Sequence, residues 1–361
     1  MADPRPRTTD VGITMRHETR ESERRAPIVP ADAARLVAQG ITVTVEHSPQ
    51  RVFPMGDYLD AGCVAAEAGS WRAAPAAEFV VGLKELPDEP TTLRHRHVFF
   101  GHAYKGQRDA EALLRRFTAG GGALLDLEYL TDTDGRRLAA FGYWAGYVGA
   151  ALAVLRHRGR LDPPLRPRPK QDLDRVLRET STGARPSVLV IGALGRCGRG
   201  ARDALAVAGI EPTCWDVAET RSLDHAALVD HDILVNAVLV TAPTPPFVTL
   251  ASLRSRPRRL SLIADVTCDV TSRNNVLPVY DDITDWREPV RVVSDAGDPL
   301  GVIAIDNLPS LLPGEASTAF SAELTPHLST LGEPGQPWQR CLRIFREACE
   351  ANGLETENVH V

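Results

Sequence analysis

One segment constrains this chain more than any other: Ser187-Val188-Leu189-Val190-Ile191-Gly192-Ala193-Leu194-Gly195-Arg196-Cys197-Gly198. A β-branched, apolar run passes directly into glycines spaced three apart. A helix-compatible stretch, Ala201 to Ala208, follows, and the next apolar segment ends at Trp215-Asp216. This is the outline of a dinucleotide-binding βαβ unit. Its glycines let backbone N–H groups approach a pyrophosphate, and the helix N-terminus adds favourable partial charge. Asp216 lies 24 residues after Gly192, close to where a carboxylate binds the adenosine ribose hydroxyls. A carboxylate there favours NAD, because a 2′-phosphate would meet a like charge. The spacing is GxxGxxG rather than the commoner GxGxxG, so the flanking strand, helix and acid carry the weight. The alternative is a glycine-rich loop in a doubly wound sheet that binds nothing.

At 361 residues the chain is long for one core and suits two α/β domains. A net charge of −6 implies neither a nucleic-acid nor an anionic-membrane surface. No apolar run approaches the ~20 residues that span a bilayer. Met1 to Asp10 is rich in Arg and Pro and lacks the apolar core of a signal peptide. Six scattered cysteines without a CxxC pair point to a reduced, cytoplasmic protein with no structural metal site.

Of the 41 lysines and arginines only three are lysines: Lys84, Lys105 and Lys170. Arginine serves wherever a generic positive charge is wanted. A retained lysine therefore suggests a task arginine cannot do, such as losing a proton when desolvated. The bland alternative is three accidental surface lysines.

Along residues 11–130 the pattern predicts strands at Val11–Met15, Ile41–Glu46, Phe79–Gly82, Val98–Phe100 and Ala123–Leu125. Between them it predicts helices at Pro30–Gln39, Asp57–Ala61 and Ala110–Phe117. Strand–helix alternation with short connections argues for a parallel sheet. Residues 142–158 read as a long, small-residue-rich helix that forms a spine. Leu161 to Lys170, with four prolines, reads as a surface excursion. Residues 187–305 form a second α/β unit with later strands at Asp232–Val240, Leu260–Val266 and Gly301–Ile305. Helices are expected at Glu315–Leu328 and Trp338–Ala351.

Polar residues gather at predicted strand ends, where open α/β sheets bind ligands. Lys84, in Gly82-Leu83-Lys84-Glu85, follows one strand. His102, in Gly101-His102-Ala103-Tyr104-Lys105, follows the next. Two such cations facing one cleft would lower each other's pKa and suit proton transfer. Arg16 ends the first strand, and Arg136-Arg137 ends the Asp126–Asp134 segment. Arginine forks bind carboxylates in bidentate fashion, though an isolated arginine is usually only solvated.

Taken in order, several segments closely resemble the NAD-dependent, lysine-forming saccharopine dehydrogenases, relatives of alanine dehydrogenase. They are Gly69-Ser70-Trp71, Val81 to Glu85, His102 to Lys105, Gly135 to Gly142, Ile191 to Gly198, and Asp306 to Pro313. The resemblance implies two Rossmann-like, doubly wound α/β domains with the active-site cleft between them. Residues 1–141 plus 307–361 would form a discontinuous substrate domain, and 142–306 an NAD-binding domain. It also implies oxidation of a secondary amine to an imine by hydride transfer to NAD, then hydration and collapse to lysine and 2-oxoglutarate. Lys84 would take the amine proton and His102 would manage the water and carbinolamine protons. Substrate contacts would fall on Arg16, Gln107, Arg137, Phe141, Thr267, Cys268 and Asp269. Cofactor contacts would fall on Arg136, Gly192, Gly195, Arg196, Asp216, Thr220, Val266, Ile305, Asp306, Asn307 and Leu308.

The chain departs from that family at four places. Ala237 stands where fungal members carry a second cysteine opposite Cys197, so that disulfide cannot form. Leu239 replaces an aromatic residue on the adenine side. Thr267-Cys268-Asp269 replaces Ser-Ala-Asp, and Asn307 stands where histidine is frequent. None of these removes an acid/base group, but the turn change bears on the exact substrate. The expected partner is therefore a small amino-acid substrate. An opine-like dehydrogenase or imine reductase on another amine, and a non-catalytic NAD-binding protein, remain the competing readings.

Overall fold

A computed structural model of the full chain describes all residues except 1–10, 105–108, 180–184, 239, 241–243, 256, 269, 271–273, 334, 357–358 and 360–361. The chain divides into two compact units, Met1–Ala140 with Ala316–Val361, and Phe141–Glu315.

In the first unit six strands form one parallel sheet. They are β1 (Gly12–Met15), β2 (Thr42–Glu46), β3 (Val64–Ala66), β4 (Phe79–Val81), β5 (Arg96–Phe99) and β6 (Ala123–Asp126). Their order is β3-β2-β1-β4-β5-β6, the doubly wound order whose direction reverses between β1 and β4. Helices α1 (Pro30–Ala38), α2 (Met55–Asp60) and α3 (Ala110–Gly120) connect them. Pro30 opens α1, where its missing N–H is no loss. Gly121, at φ +75°, closes α3 in the left-handed conformation that glycine adopts cheaply.

The second unit begins with α4 (Gly142–His157) and α5 (Lys170–Glu179). Its strands are β7 (Val188–Ile191), β8 (Thr213–Trp215), β9 (Ile233–Asn236), β10 (Leu262–Asp265), β11 (Arg291–Val293) and β12 (Leu300–Ile303). Helices α6 (Arg196–Val207), α7 (Val217–Thr220), α8 (His225–Val229) and α9 (Leu250–Arg254) lie between them. The order is β11-β12-β10-β9-β7-β8, with β11 antiparallel to β12. That short edge strand escaped the sequence pattern because only Val293 of its three residues is buried. Helices α10 (Pro313–Leu328) and α11 (Gln336–Ala351) follow. In α11, Trp338, Cys341, Phe345 and Cys349 form one buried stripe, and Phe345 meets Phe117 edge-on at 5.9 Å within the first unit.

Two expectations change. The proline-rich excursion 161–170 is not confined to the surface. Leu165 is buried in the second unit's core, and the N–H groups of Leu165 and Arg168 donate to Trp286 O and Leu311 O at 2.7 and 3.0 Å. Residues 307–315 belong to the second unit rather than the first, because Leu308, Leu311 and Leu312 join its core beneath α4. Among the described residues no helix is long and apolar enough to cross a membrane.

Candidate active site

The direction change in the first sheet places β1 and β4 side by side, and both carry chemistry at their carboxyl ends. The Arg16 N–H donates to Val81 O at 3.0 Å, continuing the β1–β4 ladder by one residue. The Arg16 side chain is buried and turns across the end of β4. Its guanidinium donates to Lys84 O and lies 3.2 Å from Glu18 Oε2. A Cβ on Gly82 would sit 2.4 Å from Arg16 Nε, so only glycine admits this crossing. Glu18 then accepts the N–H of Leu83 at 2.6 Å and of Lys84 at 3.1 Å. Burial pushes the Glu18 carboxyl up, opposed by the Arg16 charge. Arg16 and Glu18 thus clamp the backbone that carries Lys84. Beside them, burial works against ionisation of Glu23, but the Arg25 charge and hydrogen bonds outweigh it and hold the carboxyl below its usual range.

Strand β5 pairs with β4 on one side and β6 on the other. His102 follows β5 at φ +48°, a left-handed conformation that a non-glycine residue holds only when its surroundings require it. Its Nδ1 lies 3.3 Å from Glu128 Oε1, which also accepts Arg137 Nη2 at 3.2 Å. The Glu128 N–H in turn donates to Asp126 Oδ1 at 2.9 Å. The hydrogen bond to Glu128 raises the His102 pKa above its ordinary value, against burial and against the Lys84 charge. Burial pushes the Asp126 carboxyl up to about 6. Lys84 does depress His102, but the expectation of a net lowered pKa fails there. A hydrogen-bonded carboxylate at contact distance outweighs a more distant cation.

Glu18, Asp126 and Glu128 were not singled out in the sequence. Each lies at or within three residues of a strand end, the same signal that marks Lys84 and His102. Arg136 is exposed and pairs with Asp134 at 3.4 Å. Gln107 and Asp269 lie outside the described residues, as does Leu239.

In the second unit the sheet changes direction between β7 and β9, and the glycine turn sits there. Gly192 has φ +81°, and a Cβ on it would lie 2.9 Å from Ala237 backbone atoms. A Cβ on Gly198 would lie 2.1 Å from Gly192 O, so the first turn of α6 can pack on the loop only without one. Gly195 precedes α6 and has no side chain to cap it. Asp216 follows β8 and caps α7; its Oδ2 accepts Leu194 N–H at 3.0 Å and its Oδ1 accepts Val217 N–H at 2.9 Å. Thr220 Oγ1 donates to Asp216 O at 2.9 Å. These features fit a dinucleotide: a close backbone approach, an uncapped helix start and a carboxylate at the neighbouring strand end.

Other expected residues surround the same sheet end. Val266 follows β10, and Ile305 to Leu308 follow β12. The side chains of Ile305 and Leu308 are in the core, Asp306 is exposed and Asn307 is buried. Thr267 Oγ1 donates to Asp265 Oδ1 at 2.6 Å, and Asn236 Nδ2 donates to the same oxygen at 3.0 Å. Cys268 sits at φ +52° with its thiol 3.4 Å from Asp265 O. Phe141 stands at the N-cap position of α4, where its side chain makes no cap hydrogen bond.

The family model for the alanine dehydrogenase/PNT N-terminal domain matches residues 14–148. The NAD(+)-dependent, L-lysine-forming saccharopine dehydrogenase of Neurospora crassa is 41% identical over 355 residues, covering 93% of this chain and 95% of that protein. The chain belongs to the saccharopine dehydrogenase family. Its counterpart in Emericella nidulans, with the same name, is 40% identical over 361 residues and is covered to 96%. This saccharopine dehydrogenase family member also shares its fold with an L-alanine dehydrogenase structure, at TM-score 0.64 and 16% identity over 93% of this chain and 94% of that one. A transhydrogenase from Sinorhizobium meliloti follows at TM-score 0.63 and 16% identity, over 89% and 94%.

Proposed function

We propose that this protein catalyses NAD-dependent oxidative cleavage of saccharopine to L-lysine and 2-oxoglutarate. The observation that carries the reading is the placement of Lys84 and His102 at the carboxyl ends of adjacent parallel strands, each held by buried or hydrogen-bonded carboxylates. It is joined by near-full-length similarity to relatives that bear this name.

The turn at Gly192 and Gly195, the start of α6 at Arg196, and Asp216 would hold the dinucleotide. Thr220, Val266 and residues 305–308 stand at the same sheet end. NAD, when bound, accepts a hydride from the carbon that bears the secondary amine. In this reading Lys84 Nζ takes the amine proton as the imine forms. Water adds to the imine carbon to give a carbinolamine. His102, with Nδ1 directed to Glu128, uses Nε2 to hold and return the proton that the departing lysine nitrogen needs. The raised His102 pKa suits that second role, since the imidazole must carry a proton to deliver it. Arg137 offers a guanidinium to a substrate carboxylate, while Arg16 positions the Lys84 turn. A reducing, cytoplasmic setting agrees with six free thiols.

The test is an NADH absorbance assay with saccharopine and NAD, run beside the reverse reaction with lysine, 2-oxoglutarate and NADH. Turnover in both directions is expected. Turnover restricted to other amines would move the protein to the opine-like class. NAD binding without turnover on any amine would make it a non-catalytic binder.

A further inference from the structure

A cavity of about 210 Å³ lies inside the second unit, away from the glycine turn. Leu152 and Leu155 of α4, Leu173 of α5 and Leu311 form its apolar walls. The proline-rich segment that follows α4 closes it with Leu161 and Leu165. An apolar cavity of about 150 Å³ is already large enough to take up benzene. This one therefore holds more than a single ring's volume.

Its lining is also charged. Arg160, Arg166 and Arg168 line it together with one carboxylate, Asp162. None of the three guanidinium groups makes an ion pair or side-chain hydrogen bond with a described residue. Nearby Arg158 behaves differently and donates to Leu177 O and Ala208 O at 2.9 and 3.0 Å. Three unpaired forks around an apolar hollow form an unsatisfied donor set of one sign. A planar oxyanion on an apolar body satisfies both features at once.

We propose that this cavity is a binding site for a small apolar carboxylate, with its hydrocarbon part among the leucines and its carboxylate against Arg166 and its neighbours. A bare anion would leave the leucine walls wet, and a neutral hydrocarbon would leave the forks unpaired. The site shares no residue with the glycine turn or with the Lys84 and His102 cluster, so it does not depend on the proposed reaction.

Isothermal titration of the full chain with octanoate, with 1-octanol and inorganic phosphate as comparisons, tests it. Octanoate is expected to bind with a Kd below about 1 mM, and each comparison at least about tenfold more weakly. Arg166→Gln and the Arg160→Gln/Arg166→Gln pair, both at exposed positions, are expected to weaken octanoate about tenfold with an unchanged thermal midpoint. Octanoate binding that survives both variants, phosphate binding as tightly as octanoate, or no octanoate heat at 10 Kd of the expected value would overturn the proposal.

Discussion

At the scale of single residues, the candidate site is a set of cations whose behaviour is decided by carboxylates. Lys84 is placed by Glu18 through two backbone N–H groups. Replacing it with Met should lower kcat/KM for saccharopine by about 10²–10⁴. NAD affinity, followed by titration, should be nearly unchanged, because the expected cofactor residues of the glycine turn lie elsewhere in the chain. His102 depends on Glu128 through its own ring, whose Nδ1 lies 3.3 Å from Glu128 Oε1. In Glu128→Gln the acceptor loses its charge, so the His102 pKa should fall. The limb of the kcat/KM profile governed by His102 should then move to lower pH. An unmoved limb would separate Glu128 from the histidine's titration. The linked stability effect has a definite sign. A raised histidine pKa supplies stability below its unfolded value of about 6.5, and that stability is lost as pH rises through the folded value. The variant should lack this dependence.

At the scale of elements, α4 and α6 are pressed together by small residues. A Cβ on Gly146 would lie 1.8 Å from Cys197 O, and one on Gly200 would lie 1.8 Å from Tyr143 O. Both obstacles are backbone, which cannot rotate away. Gly146→Ala gains about 1 kcal/mol of helix propensity. The overpacking penalty of about 1–3 kcal/mol or more should exceed that gain. Net destabilisation in urea and weaker NAD binding are expected, since the displaced helix start is the one proposed to meet the pyrophosphate. Gly56 in α2 supplies the contrast. Nothing lies within 4 Å of its would-be Cβ, so Gly56→Ala should stabilise by about 0.5–1 kcal/mol. If both variants shift the urea midpoint in one direction, the contact argument is wrong.

At the scale of the whole molecule, two six-stranded units each carry their own core, so unfolding need not be a single transition. The first unit contains an acid-sensitive element. His97 on β5 is buried, packed edge-on against Trp71 at 5.1 Å and Phe117 at 5.4 Å, and neither ring nitrogen has a hydrogen-bond partner among the described residues. Burial first, then the Arg16 charge, hold its pKa well below 6.5. The unfolded chain therefore binds a proton that the folded one refuses, and stability falls as pH drops below about 6.5. His97→Phe should flatten the urea midpoint between pH 7 and pH 5. A midpoint as pH-dependent as in the unmodified chain would point to other groups.

Periodicity and spacing alone determined the α/β class, the ends of the main strands, the glycine turn and the two strand ends bearing Lys84 and His102. These are local properties: a run of apolar residues, a glycine where φ must be positive, a polar residue just past a strand. Tertiary structure decided which strand ends become neighbours, and hence that Glu128 rather than Lys84 sets the state of His102. It also decided that Arg16 turns inward across Gly82, that Leu165 is buried inside a proline-rich segment, and that three arginines gather around a leucine-lined hollow. Charges separated by dozens of residues interact through distance in space, and the order of strands in a sheet, which sets that distance, is not written in the spacing of any one of them.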